Sequence, residues 1–331
     1  LEVRLPRDNE IKIDAAEQML ASIYSVKKTG WLKDLKKEDH FSFEIVARKE
    51  DIRFYVNCHK DLQDLVEKQI HGVYPGAEVK TVDEYNIFSE DGKVAFAQLV
   101  LKRSSYLPIK SFRELPVDPL SSLTSALAKM GEGEGAVVQV LASPANSSWQ
   151  ESGRGYIAKI KGQEANPEKA QYKVEQKALE QIDTKIGKPG FHTVIRIVIS
   201  STTLEQAKAH LSNIRGAFEQ LSSDQNSFKK QRIFFKKFFM IDFIYRYMPV
   251  LTKPGVLSAD ELATVWHFPN KTVETPHIKW LPAKRAPAPA EIPTSGLYLG
   301  KSVYRGISRQ VYISEDDRRR HIYIIGKTGT G

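Results

Sequence analysis

Two alternating stretches, Phe41-Ser-Phe-Glu-Ile45 and Ile52-Arg-Phe-Tyr-Val56, flank the polar residues Lys49-Glu50-Asp51. Alternation at period two over so short a span predicts two half-buried antiparallel strands joined by a turn. A lone hairpin cannot cover its own apolar face, so the neighbouring chain must supply helices. Ahead of it, Leu1 to Leu5 reads as a strand. Asp14, placed to cap a helix with Glu17 three residues on, introduces the stripe Ala16, Met19, Leu20, Ile23. Behind it, Asp61 starts a helix carrying Leu62, Leu65, Val66, Ile70 and Val73. Pro75-Gly76 stops that helix, and Ala77 to Val82 closes the set as a strand. The resulting order, βαββαβ, is the ferredoxin-like split motif.

The order recurs further along. Val94 to Leu101 is a strand, and Asp118-Pro119 opens a helix with Leu120, Leu123, Leu127 and Met130 on one face. Ala136 to Ala142 and Val194 to Ile199 are apolar strands. Thr203 with Gln206 caps a helix bearing Leu204, Ala207, Leu211, Ile214, Phe218 and Leu221. Arg232 to Tyr247 is expected to supply the last strand or strand pair. A charged helical insertion, about 150–189, interrupts this second unit: Asn166-Pro167 opens a helix and Gly187 with Pro189 ends it. Its lysine- and glutamate-rich face reads as solvated, over a narrow stripe of Val174, Leu179, Ile182 and Ile186. The expectation is therefore an α+β protein with two tandem ferredoxin-like units, 1–90 and 91–250. A docking-helix segment at 251–281 and a proline- and alanine-rich linker at 282–295 follow. The first strands of a P-loop α/β domain would occupy 296–331.

Charge and cysteine content narrow the function classes. Among 331 residues, 49 lysines and arginines face 40 acids, a formal charge of +9. That excess permits attraction to nucleic acid or to an anionic membrane without choosing between them. Cys58 is the only cysteine, so no internal disulfide forms, and it continues the apolar alternation as a small packing residue. The eight histidines show no ligand spacing, which leaves a metal site without support. No apolar stretch approaches a membrane span. Leu1 opens directly on a strand without an initiator methionine, so a longer protein is expected, with a membrane segment upstream left open. The expected place is the cytoplasmic side of a membrane.

The residues that carry chemistry lie at the end. His321-Ile-Tyr-Ile-Ile325 is a short apolar strand running into Gly326-Lys327-Thr328-Gly329-Thr330-Gly331. Gly326 and Gly331 satisfy G-x-x-x-x-G, where glycines let successive N–H groups turn inward around a phosphate. A helix following the loop would aim its positive end at the same anion. The Lys-Ser/Thr pair that completes the motif would come next; Lys327 is an interior position, not that lysine.

The run Arg318 to Gly331 resembles the P-loop entrance of the HerA–FtsK ATPases, closest to the TraG- and VirD-like coupling and assembly ATPases of conjugation and type IV secretion. Leu257-Ser-Ala-Asp-Glu-Leu-Ala-Thr-Val-Trp-His-Phe-Pro269 is similar to a segment ahead of the motor in such proteins; physically it is a capping box, Ser258 with Glu261, on a short helix. The resemblance covers about a tenth of the chain. It implies a ring-forming, usually hexameric motor that uses ATP and Mg2+ to move DNA or power secretion, with DNA, further copies and secretion or membrane components as partners. The Walker B aspartate and arginine finger are absent from these residues, so this stretch by itself is expected to be inactive. The alternative is a non-enzymatic oligomerisation or partner-binding module.

One cluster stands apart. Phe228-Lys229-Lys230-Gln231-Arg232-Ile233-Phe234-Phe235-Lys236-Lys237-Phe238-Phe239, with Tyr245, Arg246 and Tyr247 beyond, interleaves bases and aromatics. The composition suits single-stranded DNA, whose bases stack on rings while lysines meet phosphates. It also suits a membrane interface. The plainer expectation is packing: aromatics against a helix, lysines in water.

Overall fold

The computed structural model describes residues 1–26, 39–164, 176–249, 254–282, 287–289, 291–304 and 307–323. They fall into two compact units, Leu1–Leu281 and Pro282–Gly331. The larger is an α+β unit built on one mostly antiparallel nine-stranded sheet.

Its first half runs β1 (Glu2–Arg4), α1 (Ile13–Ile23), β2 (Phe41–Arg48), β3 (Asp51–Asn57), α2 (Gln63–Val73), β4 (Glu78–Lys80). Its second half runs β5 (Lys93–Leu101), α3 (Pro119–Leu127), β6 (Gly135–Pro144), α4 (Ser148–Glu164), α5 (Gln176–Ile186), β7 (Gly190–Ser201), α6 (Leu204–Gly216), β8 (Phe228–Lys230), α7 (Lys236–Ile244), β9 (Gly255–Ser258), α8 (Ala259–Val265). The strand order is β4-β1-β3-β2-β6-β7-β5-β8, with β9 beside the start of β7. The halves meet where β2 pairs antiparallel with β6, from Phe41 opposite Ala142 to Arg48 opposite Gly135.

Side-chain parity divides the sheet into two faces. Phe43, Ile45, Phe54, Val138, Ile197 and their neighbours pack under α1, α2, α3, α6 and α8 in the main core. The other parity carries Val46, Tyr55, Val137 and Val198, which meet Ile87, Phe239 and Phe243. β2, expected to be half-buried, is therefore covered on both faces over Phe41–Ala47, because α7 and residues 85–88 lie over the side that a surface sheet would leave wet.

Helix starts follow local chemistry. Asp118 accepts the Leu120 N–H with Pro119 behind it, and Thr203 accepts the Gln206 N–H. Asp14 does not cap: Lys12 holds that position, and Asp14 in the first turn accepts from Arg113 at 2.7 Å. The segment 232–247 is not a strand. β8 stops at Lys230, and Lys236–Ile244 winds into α7 because Phe239 and Phe243, four apart, seat together on the sheet. Asn166-Pro167 and Val174 lie outside the described residues; α4 precedes them within the expected insertion, and Ile182 and Ile186 of α5 pack with Trp149, with Leu179 also buried. Cys58 is half-buried against the core, and burial pushes its thiol up.

The smaller unit contains a hairpin, β10 (Leu297–Tyr304) with β11 (Ile307–Ile313). Gly296 enters it at φ +125°, where a Cβ would stand 2.3 Å from the Ile313 carbonyl oxygen, so only glycine fits.

Candidate nucleic-acid interface

The strand-turn-helix at 228–247 is fixed from beneath by a row of polar side chains in an otherwise apolar sheet. Register places Glu2, Tyr55, Glu44, Gln139, Arg196 and Gln98 side by side across β1, β3, β2, β6, β7 and β5. All six are buried. Their partners lie above them. The Arg196 guanidinium donates to the Gln139 side-chain oxygen at 3.1 Å and to the carbonyls of Asp242 (2.9 Å) and Tyr247 (2.7 Å). Gln139 donates to the Phe243 carbonyl at 3.1 Å and to Glu44 at 2.9 Å. These contacts add side-chain donors to the carbonyls at and just beyond the C-terminus of α7, two of which also accept the Tyr247 and Arg246 N–H groups. Burial lowers the Arg196 guanidinium to about 10.

Glu44 is the hub. Its carboxylate accepts from Ser42 (2.6 Å), Tyr85 (2.8 Å) and Arg246 (2.8 Å). Arg246 follows α7 at φ +58°, a left-handed conformation costly for a side chain with a Cβ. It is held there by Glu44 and by Glu84 at 2.9 Å. Burial and the adjacent Glu44 charge push the Tyr85 hydroxyl well above its ordinary range.

Above this anchor, the outer surface is aromatic and cationic. Phe234, Phe235 and Phe238 are 71%, 63% and 66% exposed, so the expectation that these rings are packed fails for them. Phe239 and Phe243 are buried, and Phe228 packs half-buried against the main core. Lys229, Lys230, Arg232, Lys236 and Lys237 are all exposed, and Arg232 stacks on Phe234 with 4.9 Å to the ring centroid.

Two cavities flank β8. One, of about 660 Å3, opens where β7 changes partner: Gly190–Thr193 pair with β9, Ile195–Ser201 with β5. The strands diverge there, and Arg103, Ser104, Ser105, His192, Lys229 and Arg232 are among the residues that line the gap. The second, about 640 Å3, shares Lys230 and Arg232 and adds Lys208 and Lys236. Among the described residues, no carboxylate lines either cavity. The sequence reading found Lys229 to Lys237 but missed Arg103 and Lys208, which only the fold brings to the same edge. It also missed the polar row, although single polar residues inside apolar runs, Gln139 in Val137-Val138-Gln139-Val140 and Arg196 in Ile195-Arg196-Ile197, signal it.

A second buried polar cluster holds α8. Ser258 and Glu261 form the expected capping box, and Lys185 meets Glu261 at 2.8 Å with both side chains 2% exposed. The other oxygen of Glu261 accepts the Ile109 N–H, and burial pushes this carboxyl up. His267 lies between the Ala263 carbonyl and Asp118, 3.0 Å from the carboxylate. Burial alone would raise Asp118, but His267 and the Leu120 N–H hold it below its ordinary value.

Gly326–Gly331 lie outside the described residues. Among the described residues, no group of three or more His, Cys, Asp or Glu side chains is placed to hold a metal ion, and no helix is long and apolar enough to cross a membrane.

A family model described as "Domain of unknown function (DUF8128)" matches residues 1–281, which coincide with the larger compact unit. The chain belongs to this family. No curated protein matches the chain. In this DUF8128 member, both the cationic edge around β8 and the polar row beneath α7 lie inside the family region.

Proposed function

We propose that residues 1–281 are the nucleic-acid-handling accessory domain of an ATP-driven DNA translocase of the HerA–FtsK kind, whose motor begins near Gly296. The observation that carries this reading is the carboxylate-free track of Arg103, Lys229, Lys230, Arg232, Lys208 and Lys236 along β8, with exposed rings beside it. A groove of this kind neutralises a phosphate backbone while aromatic faces accept bases of any identity. The cations along it come from several separate elements and form no paired donors for a base edge, so binding is independent of sequence.

Two features support the wider assignment. In each half of the sheet the strands stand in the order fourth, first, third, second, counted along that half; we therefore read 1–90 and 91–250 as ferredoxin-like units joined at β2 and β6, with 150–189 inserted in the second. The resemblance of Arg318–Gly331 to a P-loop entrance, and of Leu257–Pro269 to a segment preceding such motors, supplies the link to ATP. ATP and Mg2+ belong to the motor in this reading, and no residue of 1–281 is assigned a catalytic role.

The test has two parts. Titration of labelled oligo-dT with this chain should show binding at low salt that weakens steeply as salt rises. In the protein continued past Gly331, single-stranded DNA should stimulate ATP hydrolysis, and Lys229→Gln with Lys230→Gln should reduce that stimulation while the basal rate stands. No binding at low salt removes the interface. Binding without any ATP hydrolysis in the longer protein removes the motor assignment and leaves a DNA-binding module.

A further inference from the structure

We infer that α7 is a bilayer-docking helix that seats its outer face in the headgroup region of an anionic membrane. The inference shares Lys229, Lys230, Arg232 and Lys236 with the nucleic-acid reading, but what carries it is the apolar outer face of α7.

α7 is apolar nearly all round. Its inner side buries Phe239 and Phe243 on the sheet. Its outer side leaves Phe238, Ile241 and Ile244 exposed, with Phe234 and Phe235 at its start and Tyr245 at its end. A helix apolar on both sides is normally buried on both sides, so the outer face lacks a cover. Within the helix the spacing of Phe238 and Ile241, continued by Tyr245 at its C-cap, places three of these side chains on one stripe.

The chemistry around the stripe selects the cover. Lys229, Lys230, Arg232, Lys236 and Lys237 lie at or before the first turn of α7 and are exposed. The acids close to the helix are engaged: Asp242 lies 3.9 Å from Arg196, and Glu84 pairs with Arg246. A surface of exposed rings and methyl groups ringed by lysine and arginine is the composition of a helix lying in the plane of an anionic interface, aromatics at headgroup depth and cations toward lipid phosphates. Ile241 and Ile244 argue for lipid over nucleic acid, since aliphatic side chains gain from a hydrocarbon boundary but offer no ring for a base. At nine residues the helix lies on the membrane and does not span it. The polar row fits this role, because Arg196 and Gln139 grip the carbonyls of α7 and keep the helix a rigid part of the sheet while its other face is loaded.

Vesicle flotation tests this. The chain should float with phosphatidylglycerol-containing vesicles and stay down with pure phosphatidylcholine. Ile241→Ser with Ile244→Ser should weaken vesicle binding by at least about tenfold, since two exposed apolar side chains lose their lipid contact. The unfolding midpoint of that variant should hardly move, and its oligo-dT affinity should stay within about twofold of the parent, because both side chains are exposed and neither offers a ring to a base. A Phe238→Trp variant should shift its emission to the blue with anionic vesicles only. The inference is overturned by no flotation with anionic vesicles or by equal flotation of the double variant. It is also overturned if the double variant loses oligo-dT binding instead, or if it abolishes a concentration-dependent dimer with lipid binding unchanged, which would assign the face to nucleic acid or to a second copy.

Discussion

Salt dependence gives the sharpest test of the track along β8. Six cations line its two cavities: Arg103, Lys208, Lys229, Lys230, Arg232 and Lys236. If each meets one phosphate of a single strand, the slope of log affinity against log salt is about −4, so affinity falls about 300-fold between about 50 and about 200 mM salt. The triple change Lys229→Gln, Lys230→Gln and Arg232→Gln leaves three contacts. The slope should fall to about −2 and the loss over the same interval to about 20-fold. All three side chains are exposed, so unfolding midpoints should hardly move. Fluorescence anisotropy of labelled oligo-dT at several salt concentrations reads both slopes. A wild-type slope near zero, or a triple-variant slope equal to the parent's, refutes the assignment of these residues to phosphate contacts.

Four further outcomes are expected. Lys185→Met strands the Glu261 carboxylate in the core and should cost about 3–5 kcal/mol in denaturant unfolding, with Glu261→Gln added to it recovering part of the loss. Gly190→Ala places a Cβ 2.5 Å from the Trp149 ring and should cost about 1–3 kcal/mol by the same measurement. Asp118 and Asp260 are held below their ordinary value of 3.8, by His267 and by Lys188 with Ser258 respectively, each against the raising effect of burial. They therefore stabilise the fold above that value and lose the contribution as pH falls through their folded values; Asp118→Asn should flatten the acid limb of a stability–pH curve. Finally, in the reading proposed above Gly326–Gly331 are part of a phosphate-binding loop whose lysine is not among these 331 residues, so they should show no ATP turnover in a clean preparation, and turnover would remove that reading.

The sequence disclosed elements better than their arrangement. Asp118-Pro119, Thr203 and the Ser258–Glu261 box are local chemistry, and each starts a helix where expected. Asp61 came close, its helix starting at Gln63 after a single tight turn. α7 was misread as a strand because Phe, Ile and Tyr favour pleated surfaces, and what overrides that preference is a contact formed only in three dimensions, Phe239 stacked on Phe96. The same distance from sequence hid the double covering of β2 and the gathering of Arg103 and Lys208 beside Lys230. Half of the candidate site was legible as composition, namely the lysines and rings. The other half, which side of the helix they occupy, needed the fold.

The two free margins of the sheet have a bearing on how copies of this chain can meet. β4 and β8 each have three residues, and they present Lys80 at one end and Lys229 with Lys230 at the other. Short, lysine-bearing margins are poor templates for another strand, so extension of the sheet from molecule to molecule is discouraged at both ends. At β4 and β8, contacts between copies are therefore favoured through helices or loops over added strands. It also follows that the lysines beside β8 guard against aggregation whatever they bind, and a variant stripped of them should be watched for fibrous precipitation before any loss of DNA binding is credited to charge alone.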